Sequence, residues 1–83
     1  MPDRLPSLVA LRAFEAAARH MSFAQAANEL SVTPAALSYQ IKSLEADMGA
    51  PLFHRLNRAV ELTEAGRILL PGLSTAFQDM RGA

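Results

Sequence analysis

Cysteine is absent from the sequence, which excludes a disulfide framework and a thiolate zinc site and suits a reducing compartment. Net charge is absent too, because eight basic residues balance eight acidic ones. A nucleic-acid-binding domain is ordinarily basic, so bulk charge gives no support to a polyanionic partner and the placement of the charges has to be read instead. No charge-free apolar run approaches the roughly 20 residues of a membrane span. The first residues, Met1 to Pro6, lack the apolar core of a secretory signal, so a cytoplasmic protein without a membrane partner is expected. His20 and His54 are the only histidines, too few ligands at suitable spacing for a metal centre. No nucleophile–base–orienter set stands out, and 83 residues leave little room for a catalytic cleft. Neither an enzyme nor a bound cofactor is expected. What the chain does have is apolar content, 51% of its residues, enough for one small globular core.

Apolar periodicity divides the chain into helices. Leu8, Leu11, Phe14, Ala18 and Met21 recur at intervals of three and four after Pro6-Ser7, a helical stripe. Arg12, Glu15 and Arg19 fall on the other side, Glu15 and Arg19 as an i,i+4 pair. Ser22-Phe23-Ala24-Gln25 is a capping-box sequence, followed by Phe23, Ala26, Ala27 and Leu30 on one face. Ser31-Val32 interrupts the pattern. Thr33 as N-cap and Pro34 at the first helical position then restart it. Leu37, Ile41, Leu44 and Met48 form the next stripe, closed by Gly49 and Pro51. Leu52 to Arg55 and Val60 to Leu62 are strand-like runs around a short turn, a small hairpin. Thr63 can cap a last helix that starts with Glu64. Proline at position 71 inside that helix is expected to kink or break it.

Ser22 to Met48 therefore reads as two helices joined by a tight turn, a helix-turn-helix. On the second of these helices Ala35, Tyr39, Lys42 and Ala46 lie opposite the core stripe, with Ser38 at the edge. The face is small or singly polar and has no acid at its centre, as a helix entering the major groove requires. Between Pro34 and Arg58 the cations are Lys42, Arg55 and Arg58, with His54 as a candidate fourth. The acids Glu45 and Asp47 come late in the helix. Periodicity alone also leaves open a winged-helix module that binds protein rather than DNA, or a purely structural oligomerisation domain. In the last helix Ile68, Leu69, Leu73, Ala76, Phe77 and Met80 form an apolar line longer than a small core needs, and such a surplus marks an interface.

Several ordered segments together resemble the LysR-type transcriptional regulators. They are Ser22 to Leu30, Val32 to Ile41, Leu44-Glu45, Gly49, Leu52 to Arg55, and Leu62 to Gly66. The resemblance runs without a gap over residues 5 to 80. Leu11 to His20 is most similar to the branch containing the glycine-cleavage activator and the β-lactamase regulator. The resemblance implies a mainly α fold, a winged helix-turn-helix of three helices plus a two-stranded wing, followed by a long linker helix. It divides the chain into a DNA-binding domain, residues 1–63, and a dimerisation helix, residues 64–83. It further implies that the chain is a fragment, since regulators of this family carry a C-terminal effector-binding domain. A small-molecule effector is expected only for that further domain.

Carried over position by position, the resemblance places the helix spanning residues 34–48 in the major groove of double-stranded DNA. The wing, residues 52–62, would lie at the minor groove and backbone. Thr33, Pro34, Ala35, Ser38 and Tyr39 would face the groove, with Ser38 and Lys42 able to bond phosphate or base edges. Pro34 and Ala35 offer only apolar contact, for instance to a thymine methyl, and the Tyr39 hydroxyl can donate or accept. The family often has glutamine in place of Pro34 and arginine or histidine in place of Tyr39, so base preferences are not transferable. Arg58 resembles the wing arginine that reaches the minor groove, where potential is most negative. Arg55 is expected at phosphate, and Ser22 and Gln25 at phosphate beside their capping roles. A homodimer through Ile68, Leu69, Leu73, Ala76, Phe77 and Met80 would offer two reading heads to a pseudo-palindromic site.

Overall fold

A computed structural model describes residues 6–56 and 59–82. Helix α1 (Leu8–His20) begins where the Ser7 hydroxyl accepts from the Ala10 N–H at 3.0 Å. It ends at Met21, which adopts the left-handed conformation with φ 52°. Helix α2 (Phe23–Leu30) forms half of the anticipated capping box, Ser22 Oγ accepting from the Gln25 N–H at 3.1 Å. The return bond from the Gln25 side chain is not among those of the described residues. Helix α3 (Pro34–Met48) is capped by Thr33, whose hydroxyl accepts from the Ala36 N–H. It closes on Gly49 at φ 76°, a conformation that glycine adopts without Cβ strain.

The chain then turns into an antiparallel hairpin of β1 (Phe53–Arg55) and β2 (Val60–Leu62), pairing Phe53 with Leu62, His54 with Glu61 and Arg55 with Val60. Helix α4 (Glu64–Gly82) follows directly. Buried Thr63 ties the junction together: its hydroxyl donates to Pro51 O at 2.7 Å and accepts from the Gly66 N–H at 3.1 Å. A Cβ on Gly66 would lie 2.5 Å from Leu52 O, so no larger residue lets α4 approach the wing this closely.

The core gathers around α1, which packs against α2, α3 and α4. Phe14, Leu37, Ile41, Leu44 and Leu52 are its largest fully buried side chains. Phe53 brings the wing into it, with ring centroids 5.4 Å from Phe14 and 5.3 Å from Phe23.

Three expectations about the helices need correction. The stripe predicted for α1 does not hold at its ends, since Leu8 and Met21 are exposed while Glu15 is buried. With helices on several sides, α1 buries Ala13, Phe14, Ala16, Ala17 and Ala18 almost all round, and small side chains permit that approach. Met48, the last residue of α3, is exposed rather than part of the core. Of the kink or break expected at Pro71, the break does not occur, since helix α4 continues through Pro71 to Gly82. Proline there removes a donor to the Arg67 carbonyl, and both residues are exposed, so water can satisfy the carbonyl that proline leaves open.

Candidate nucleic-acid interface

The exposed side of α3 is the face predicted to be free. Thr33, Pro34, Ala35, Tyr39, Lys42 and Ala46 are exposed and Ser38 is half-buried at the edge. Tyr39 is 68% accessible, so it stands out from the helix. Leu37, Ile41 and Leu44 fix the opposite side in the core. From Ser31 to Leu44 the sequence holds no acid, and along this stretch Lys42 alone carries charge.

The wing adds a second cation to this face. Arg55 Nη2 donates to Ser38 Oγ at 3.3 Å, and the guanidinium carbon lies 4.8 Å from the centroid of the Phe23 ring. A guanidinium over an aromatic face is attracted by the ring quadrupole, so Arg55 has partners on both α2 and α3. Ser22, Phe23 and Ala24 from the start of α2, with Arg55, Leu56, Ala59 and Val60 from the wing, line an open depression of about 210 Å³. Ser22 thus lies beside Arg55 on one side of the molecule, and Gln25 is exposed in the first turn of α2. Arg58, the other predicted wing cation, lies outside the described residues.

Three of the acids are engaged away from the exposed α3 face, while Asp47 late in α3 and Glu61 on β2 are exposed. Half-buried Glu45, on α3, turns its carboxylate to the start of the wing, where Oε2 accepts from the Leu52 N–H at 2.8 Å and the Phe53 N–H at 3.4 Å. Glu15 and Glu29 both accept from Arg19. His20 Nε2 lies 2.6 Å from Glu29 Oε1 and Arg81 Nη2 lies 4.0 Å from Glu15 Oε1. Hydrogen bonds to Glu15 first, and then to Glu29, raise the Arg19 guanidinium further above its ordinary value. Hydrogen bonds from Arg19, and next from His20, lower Glu29 to about 2. All ion pairs among the described residues belong to this cluster on α1, α2 and α4. The cluster was only partly visible beforehand. Helical spacing announces Glu15–Arg19, whereas Arg19–Glu29 joins two helices and has no sequence signature.

The apolar line of α4 divides. Leu69 and Leu73 are half-buried against the domain's own core, and Phe77 is buried. Ala76 is exposed, and Ile68 and Met80 are the exposed large apolar side chains of this helix, Ile68 74% accessible. Phe77 thus belongs to intrachain packing, because the length of α4 that looked surplus lies partly against α1. Among the described residues no cluster of three or more His, Cys, Asp or Glu could hold a metal ion, and no helix is long and apolar enough to cross a membrane.

Comparison with known proteins gives one consistent answer. The family description "Bacterial regulatory helix-turn-helix protein, lysR family" matches residues 8–67. The chain is 52% identical over 83 residues to the glycine cleavage system transcriptional activator of Escherichia coli K12, covering all of this chain and 27% of that protein. It is 49% identical over 83 residues to the carbapenem-hydrolyzing β-lactamase transcriptional activator of Serratia marcescens, covering 28% of it. The branch that Leu11 to His20 resembles is therefore represented among the relatives. The chain spans about a quarter of the length of these curated relatives. Its fold is similar to the crystal structure of a CbnR DBD–DNA complex, with a TM-score of 0.81 and 33% identity over 87% of this chain and 83% of that one.

Proposed function

This chain belongs to the lysR family of bacterial regulatory helix-turn-helix proteins, and on that premise we propose that it binds double-stranded DNA sequence-specifically as the reading head of a transcription regulator. One observation carries the proposal: the exposed, acid-free face of α3 has Arg55 of the wing held against its edge. A helix of this width fits the major groove, and cations at its margins meet the phosphates that flank it. Pro34, Ala35 and Tyr39 read base edges, Thr33 and Ser38 line the rim, and Lys42, Arg55, Ser22 and Gln25 contact the backbone. Arg58 is assigned to the minor groove on the resemblance alone. Similarity to a domain solved as a DNA complex supports the same reading.

Residues 1–63 act as the reading unit and residues 64–83 as the linker helix. Two copies joined through α4, with Ile68 and Met80 at the contact, present two α3 helices to a pseudo-palindromic site in the cytoplasm. The effector that controls the intact regulator binds outside these residues. Selection of duplexes from a random pool by this chain tests the reading. Enrichment of a sequence with two related half-sites is expected, and a pool that stays random would overturn it.

A further inference from the structure

A carboxylate on a helix that reads DNA is electrostatically adverse, and Glu45 sits on the recognition helix α3. Removing an acid from such a helix should, by charge alone, strengthen binding. The geometry around Glu45 points the other way. Its Oε2 accepts from the backbone N–H groups of Leu52, just before β1, and Phe53, the first residue of β1. The other side of the same peptide segment is also held, since Leu52 O accepts from the Thr63 N–H at 3.1 Å. Two residues beyond Phe53 comes Arg55, whose guanidinium touches Ser38 on α3 and the Phe23 ring on α2. One side chain of α3 thus sets where the wing strand starts, and the strand sets where its cation arrives.

We propose that Glu45 is a positioning residue for DNA binding, anchoring the wing to the recognition helix so that Arg55 stays in register with the α3 face. The carboxylate acts through backbone hydrogen bonds and touches no DNA. A hydrogen bond to a charged acceptor resists displacement more than a neutral one, so the anchor holds the wing while phosphates compete for the guanidinium. This inference rests on the DNA-binding reading above.

The test is a double-mutant cycle read by duplex affinity, using the sequence that the unmutated chain enriches. Glu45→Ala removes the acceptor. Glu45→Asp keeps the charge but shortens the reach, and serves if the alanine variant does not fold. Each single variant is expected to bind about tenfold more weakly, and Glu45→Gln, which keeps an acceptor oxygen at full reach, within about threefold. In an Arg55→Ala background the Glu45 substitutions should cost little further, because they act through Arg55. Amide exchange at Leu52 and Phe53 should accelerate in the variants without DNA present. Tighter binding by Glu45→Ala, or losses that simply add to that of Arg55→Ala, would overturn the proposal. Failure of the unmutated chain to enrich any duplex would instead overturn the DNA-binding reading itself.

Discussion

Two sides of this small domain carry charge in opposite ways. On the α1–α2 side, Arg19 is shared by Glu15 and Glu29, with His20 and Arg81 at the margins, so cations and anions neutralise one another. On the α3–wing side, Lys42 and Arg55 form no ion pair among the described residues, and the nearby acid Glu45 is turned inward to backbone N–H groups. The formal charge of the chain is zero, yet the two sides differ in what they offer a polyanion. Net charge is a sum over the molecule, whereas binding senses a local field. A neutral domain can therefore present a cationic face when Glu15, Glu29 and Glu45 are engaged away from it, with Asp47 and Glu61 as the exposed acids that remain on that side.

The comparison assigns the first side to stability and the second to binding, and substitutions on each should separate the two properties. Lys42→Glu is expected to have the largest effect, weakening duplex binding about a hundredfold by losing a phosphate contact and adding a repulsive charge. Its thermal unfolding should shift little, by about 0.5 kcal/mol or less for an exposed position. A large loss of stability would place Lys42 on the structural side instead. Arg19→Ala should do the reverse. It leaves the Glu15 side chain, 6% exposed, facing the core without its main donor. A destabilisation of about 2 kcal/mol and a fall in Tm of about 10 °C are expected by calorimetry. Well below that Tm its duplex affinity should match the unmutated chain, and a parallel loss of affinity would break the comparison.

The smallest effect should come from pH. Glu29 has its folded value lowered from 4.5 to about 2, so the folded state binds that proton less readily than the unfolded chain does. Its contribution to stability is fully present above 4.5 and is lost as pH falls through about 2. The partners are well exposed to solvent, so the contribution is a few tenths of a kcal/mol. Glu29→Gln should be less stable than the unmutated chain by that amount near neutrality, with the gap closing in acid. A gap that widened in acid would reverse the sign of the interaction.

The elements that build the interface were legible because each has a local signature. Thr33-Pro34 marks the start of α3, Gly49 its end, and Leu37, Ile41 and Leu44 its buried side, which together expose Tyr39 and Lys42. The two runs around Leu56 to Ala59 likewise announced the wing. Glu15 was misplaced because an alanine-rich helix has no sharp apolar stripe, so a buried carboxylate among alanines looks like an exposed one. The Glu45 contact with Leu52 spans a helix end and a loop, and no period encodes a side chain bonding to backbone seven residues away. Phe77 was assigned to a partner surface because periodicity shows that a helix has an apolar side, not which neighbour covers it.

The central claim is that the α3–wing side offers Lys42 and Arg55 to phosphate while Arg19 on the α1–α2 side stays paired with Glu15 and Glu29. The salt dependence of duplex affinity measures this most directly. Between about 50 and 200 mM salt, log affinity should fall linearly with log salt, with Lys42 and Arg55 each contributing a slope of about −0.9 per chain. Lys42→Ala should flatten that slope by about one unit per bound chain, and Arg19→Ala should leave it unchanged. A flat line for the unmutated chain, or a slope that changes with Arg19 and not with Lys42, would contradict the account.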